Sequence, residues 1–319
     1  MRISKEAVQP RPVGFGYPFD RILIPLDGSG LAEGAFSQIQ ALGHRHPIEV
    51  ILARIIEPQV PAPSPSPVQE SAQVAQLYLK KAAAAIEGPA VQAKKTIVRV
   101  GPAAESLLAI ADEEGVTLII MSTHGRLTPS ALPFGQVAGR ILRSSRIPVL
   151  AVPVHPEAEG SQVPVRPGAP FHTMLVVSRP GEPAQGVVPM AVDLAIFTGI
   201  DLAILLRLVP TGWTGRQEAE RLVEGEEHLR RLARPFESVR IPTVQLVEAG
   251  DPARAILSVA DRRQADVIAM STSDLPGTAA AAVDGVAEGV FRESALPVFM
   301  GGPPLSTTVS GLGPERPKS

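Results

Sequence analysis

Short apolar runs alternate with helix-spaced apolar sets along most of the chain. Residues 21–26 (RILIPL) predict a first strand, which ends in Asp27-Gly28-Ser29. A helix is expected over 31–42, with Gly43 near its end. Residues 49–56 predict a second strand, 70–86 an Ala-rich helix and 95–100 a third strand. Gly101-Pro102 opens the next helix, with Pro where a missing N–H costs nothing. The stretch 118–121 (LIIM) reads as a buried strand. Val137, Ala138, Ile141 and Leu142 recur at helical spacing, and Val149 to Val152 forms a last strand. Strand followed by helix, repeated in this way, implies a parallel sheet covered by helices on both faces.

The pattern then restarts. Strands are expected at 173–178, 201–209 and 243–248, and helices at 187–198 and 218–236. Asp251-Pro252 caps and opens a further helix. Shifting the chain by about 150 residues aligns it with itself without a gap over roughly fifty positions, the mark of an internal repeat. Gly101 falls on Gly250, Leu108 on Leu257 and Ala111-Asp112 on Ala260-Asp261. Met121-Ser122-Thr123 falls on Met270-Ser271-Thr272, and Pro148-Val149 on Pro297-Val298. The chain therefore divides into an irregular arm (1–17), a first domain (18–153), a Pro/Gly-rich linker (154–170), a second domain (171–302) and a polar tail (303–319). Inside the first domain, 58–67 (PQVPAPSPSP) reads as an extended, polyproline-like loop.

Composition narrows the function classes. The 319 residues are 45% hydrophobic, enough for true cores, and carry a net charge of −2. No long basic run points to nucleic acid or to an anionic membrane. With no Cys, disulfides, thiolate metal sites and a Cys nucleophile are excluded. The first twenty residues lack a signal-peptide apolar core, and the longest apolar run, 202–209, is broken by Arg207 and too short to span a bilayer. The expectation is a soluble, cytoplasmic protein. His44-Arg45-His46 alternates in a helix-to-strand connection, where a solvated turn is the ordinary reading, so no metal is assigned.

The candidate chemistry lies in residues 117–152. Strand, glycine-bearing loop and helix N-terminus follow one another, the arrangement in which free backbone N–H groups meet a phosphate. The loop reads Ser122-x2-Gly125-x9-Gly135-Gln136. On this spacing the chain resembles a tandem universal stress protein, whose ATP-binding members carry Gly-x2-Gly-x9-Gly-Ser/Thr here. Two of the four motif positions match and two, Ser122 and Gln136, depart. The resemblance implies an α/β fold of two doubly wound, five-stranded parallel sheets, order 3-2-1-4-5, packed on each other as a pseudo-dimer through the fifth strands. It implies a cytoplasmic stress-response protein with ATP or AMP bound in domain 1 only.

By the same resemblance Asp27 contacts the nucleotide near adenine and ribose, and the Ile55 backbone reads the adenine edge. Gly125 and Gly135 let the main chain approach the phosphates, Gln136 opens the helix behind them, and His124 stands on the phosphate side of the loop. In the second copy Arg179 replaces the strand 1 Asp. The loop positions become Ser271, Asp274, Asp284 and Gly285, with two carboxylates where phosphates would lie. A further homodimer is compatible with the family; a protein partner is not identified. Two other readings remain: a family member that binds no nucleotide and acts as a structural or interaction module, and a slow ATP hydrolase. The absence of GxxxxGK[ST] from the sequence weakens the second.

Overall fold

The computed structural model describes residues 18–42, 46–57, 66–88, 90–124, 134–154, 170–178, 186–209, 216–271 and 285–301. The arm, most of the linker, the tail, His44, Gly125, Arg179, Asp274 and Asp284 lie outside them.

The first half runs β1 (Arg21–Pro25), α1 (Gly30–Glu33), α2 (Phe36–Leu42), β2 (Ile48–Ile56), α3 (Ser66–Ala85), β3 (Val91–Val100), α4 (Ala103–Glu113), β4 (Leu118–Ser122), α5 (Gln136–Ser144) and β5 (Val149–Val152). The second half repeats the order. It runs β6 (Thr173–Ser178), α6 (Val188–Thr198), β7 (Leu202–Val209), α7 (Arg216–Ser238), β8 (Thr243–Ala249), α8 (Pro252–Arg262), β9 (Val267–Ser271), α9 (Val286–Glu293) and β10 (Val298–Gly301). Within each half the strands are parallel, in the expected order 3-2-1-4-5.

The two sheets are not separate. β5 and β10 pair antiparallel, which gives one ten-stranded sheet of order β3-β2-β1-β4-β5-β10-β9-β6-β7-β8. In that pair Leu150 faces Phe299, its own counterpart in the repeat, while Val149 faces Met300 and Ala151 faces Val298. Each copy thus offers the other the same edge, as in an isologous contact between identical subunits. The pairing covers two apolar edges that would otherwise template aggregation.

Each sheet face buries one cluster that is continuous across both halves. On one face Phe19 meets Phe197 and Phe299 edge-on, at 6.0 and 5.8 Å. On the other, Phe134 meets Phe291 edge-on at 5.8 Å.

Four local expectations differ from the fold. The helix expected over 31–42 is two short helices, broken at Gly34-Ala35. β3 begins at Val91 rather than Lys95, because Gln92 to Lys95 sit exposed on the outermost strand and show no apolar alternation. Residues 58–65 of the proline-rich segment lie outside the described residues, and Ser66-Pro67 begin α3 instead of continuing an extended loop. Pro102 is the N-cap of α4, one residue outside the first turn, and Glu57 Oε1 at the end of β2 accepts from the Ala103 N–H at 3.0 Å.

Candidate functional site

In both halves the strand order reverses between the first and fourth strands, and a crevice at the carboxyl ends of strands follows from such a reversal. In the first half the crevice lies between β1 and β4. The strand registers say which residues meet there. Pro25 pairs with Ala53, and Leu23 with Ile119. Carried on along the strands, those registers set Asp27 beside Ile55 on one side and beside Thr123 on the other. Three of the residues singled out from the sequence thereby gather at one edge: Asp27, Ile55 and, one residue before Thr123, Ser122.

Asp27 is exposed. Its Oδ1 accepts from the Ser29 N–H at 2.9 Å and from the Ser29 hydroxyl at 2.6 Å. The Ser29 hydroxyl in turn accepts from the Ala32 N–H at 3.2 Å, which ties the turn to α1. Gly28 makes this turn possible: its φ is +83°, and the Arg54 guanidinium lies 3.0 Å from where a Cβ would stand. Arg54 also lies over the Tyr78 ring, 5.2 Å from its centroid, and the Tyr78 hydroxyl donates to Glu33 at 2.9 Å. Burial, the bond to Glu33 and the charges of Glu33 and Asp27 push the Tyr78 phenol well above its ordinary range, against the pull of Arg54. The phenol is therefore a fixed donor at any physiological pH.

On the β4 side, Ser122 is buried and its hydroxyl faces the Ala32 carbonyl at 3.5 Å, towards α1. Thr123, 1% exposed, is the hub. Its N–H donates to Val152 at 2.9 Å, its carbonyl accepts from the Gly135 N–H at 2.7 Å and its hydroxyl accepts from the Val154 N–H at 3.2 Å. That hydroxyl also bonds the Nδ1 of His124, at 3.0 Å. His124 is buried rather than presented to solvent. Gly135 is the N-cap of α5 in an extended conformation, and Gln136 stands exposed at the first helical position. The end of β4 and the start of α5 are thus clamped together, with the positive end of α5 pointing at the crevice edge. Gly125 is outside the described residues.

The sequence reading missed Thr123, Arg54, Tyr78 and Glu33. Two signals were present. Met-Ser-Thr recurs in both copies, and each second strand carries a late arginine after an apolar run, Arg54 in VILARII and Arg207 in LAILLRLV. Among the described residues, no group of three or more His, Asp or Glu could hold a metal ion, and no helix is long and apolar enough to cross a membrane.

Comparison with known proteins agrees with the duplicated fold. A family model described as the universal stress protein family matches residues 18–153 and again 170–300. Universal stress protein Sll1654 of Synechocystis sp. is 31% identical over 135 residues, which cover 42% of this chain and 86% of that protein. Among solved structures, a universal stress protein from Archaeoglobus fulgidus covers 90% of this chain and 98% of its own, with a TM-score of 0.63 at 18% identity. A second, from Pseudomonas aeruginosa, covers 89% of this chain and 94% of its own, with a TM-score of 0.54 at 16% identity. At such identities the last two are likenesses of fold alone.

Proposed function

From the premise that the chain belongs to the universal stress protein family, we propose that its first half is an adenine-nucleotide-responsive binding module of a cytoplasmic stress response. The observation that carries this reading is the row Asp27, Ile55 and Thr123 at the crevice, set by the strand registers, with the N-terminus of α5 closing its phosphate end. In this reading Asp27 meets the ribose and the Ile55 main chain the adenine edge. In the same reading Gly125 and Gly135 serve the phosphates, as the resemblance implies, with Gln136 at the helix start and Ser122 and His124 beside them in sequence. The second half departs from this set: Arg179 stands for Asp27, Asp274 for Gly125, and Asp284 precedes Gly285, the N-cap of α9. One nucleotide per chain follows, ATP or AMP, with binding and not turnover as the output.

The test is calorimetry on the full chain, with mass spectrometry of any nucleotide released on denaturation. A stoichiometry of one, lost in Asp27→Ala, is expected. Two nucleotides per chain, or undiminished binding by Asp27→Ala, would overturn the assignment.

A second reading has its own observation. Asp27 Oδ1 already accepts two bonds from Ser29, which is the work of a turn-capping carboxylate. In that reading the protein is an interaction module that binds no nucleotide. No released nucleotide and no heat with ATP, ADP or AMP selects it.

A further inference from the structure

The two halves differ in chemistry at one corresponding place. In the first half β1 is followed by buried Leu26, one register step beyond Pro25↔Ala53 and so opposite Arg54. In the second half the opposed pair is Ser178↔Arg207. The helices above correspond as well. α3 buries Ala75, Leu79 and Ala82, with Ile86 just past its C-terminal end, and α7 buries Gly225, Leu229, Leu232 and Phe236 at the same spacing. That match sets His228 where the first half has Tyr78. A Leu, Arg, Tyr arrangement has become Ser, Arg, His.

The new set is hydrogen-bonded throughout. Arg207 Nη1 lies 3.3 Å from Ser178 Oγ, and Ser178 Oγ lies 2.9 Å from His228 Nε2. A guanidinium only donates, so Ser178 accepts from Arg207; with His228 in its Nδ1–H tautomer, Ser178 gives its one proton to Nε2. α7 crosses closely above: a Cβ at Gly225 would stand 3.5 Å from Arg207 Cγ. Ser178 is buried while Arg207 and His228 are partly exposed, so the cluster has a floor and an open side. The charged groups acting on His228 are Arg207, from β7 beneath, and Arg231, from its own helix. Burial first, and then these two charges, push the imidazole below its ordinary value.

We propose that the second half holds an oxyanion, a phosphate or a carboxylate group, between Arg207, Ser178 and His228. The anion accepts from Arg207 and from the Ser178 hydroxyl, which turns away from the ring. His228 then takes up a proton at Nε2 and becomes the third donor. Binding therefore consumes a proton and tightens as pH falls. The site is independent of the nucleotide reading of the first half, since none of its residues lies there.

The experiment is a pH titration of the His228 ring by NMR on the nucleotide-free full chain, in inorganic phosphate against chloride at matched ionic strength. Acetate is the second arm. Phosphate is expected to raise the His228 midpoint saturably, on the order of one pH unit, as an adjacent opposite charge does. Arg207→Gln should lose most of that shift. An equal response to acetate assigns the site to carboxylates, and a response to phosphate alone assigns it to phosphate esters. A midpoint unmoved by either anion in the unaltered protein overturns the proposal, whatever the variant's stability. So does an undiminished shift in folded Arg207→Gln.

Discussion

At the scale of single residues, Gln136 and Ser122 separate although both depart from the family motif. Gln136 is exposed at the first position of α5, where its long side chain loses entropy when fixed on an anion. Gln136→Ser should tighten ATP more than AMP, by roughly tenfold for one phosphate hydrogen bond regained; competition calorimetry with the two nucleotides measures it. The Ser122 hydroxyl faces the Ala32 carbonyl of α1. Ser122→Gly should therefore leave the ATP to AMP ratio unchanged, and parallel titrations of that variant check it. His228 supplies a pH dependence. Its folded pKa is depressed, by burial first and then by Arg207 and Arg231, so the unfolded chain binds the proton more readily. The stability contributed by neutral His228 is intact above the unfolded value of about 6.5 and is lost as pH falls through it towards the folded value. Denaturant midpoints measured at ~pH 7.5 and ~pH 5.5, either side of that ordinary value, should differ less in His228→Asn than in the parent.

At the scale of elements, α5 joins the nucleotide reading to the core. Its Gly139 admits the Phe134 ring: a Cβ there would stand 2.6 and 2.7 Å from two ring carbons, and Phe134 packs on Phe291 of the other half. Gly139→Ala gains about 1 kcal/mol of helix propensity but forces the ring aside at a cost of about 1–3 kcal/mol. A lowered melting temperature is expected, together with weaker nucleotide binding, because Phe134 adjoins Gly135. Gly30 is the control. Nothing lies within 4 Å of a Cβ there, so Gly30→Ala should stay within about 0.5 kcal/mol of the parent.

At the scale of the whole molecule, the antiparallel β5–β10 pair makes two duplicated domains one sheet with two continuous cores. Amides of Leu150 and Phe299, at its centre, should exchange as slowly as those of β4 and β9; fast exchange in either strand would contradict the pairing. A fragment ending at Val154 uncovers the apolar β5 edge, and the same edge on a second copy is its natural cover. Sedimentation of that fragment should show concentration-dependent dimers, while the full chain stays unassociated through this strand.

Much of this was legible in the chain itself. Element type and order came through because 3.6- and two-residue periodicities are local properties of the backbone, and the duplication because two copies preserve them in parallel. Asp27, Ser122, Gly135 and Gln136 were placed at element ends for the same reason. The direction of a side chain at those ends was not legible. Strands buried on both faces are apolar at every position, so Ser122 gave no sign that it turns towards α1. Nor could local pattern bring together Leu26, Arg54 and Tyr78, or Ser178, Arg207 and His228. These residues are tens of positions apart and meet only once strand register and helix packing are set. The joining of the two sheets was expected from the apolar fifth strands, which the sheet order implied by the resemblance sets at the edges. What decides it is that each β5-type strand, left alone, presents unpaired backbone groups along an apolar edge, and in this chain the best partner for that edge is its own repeat.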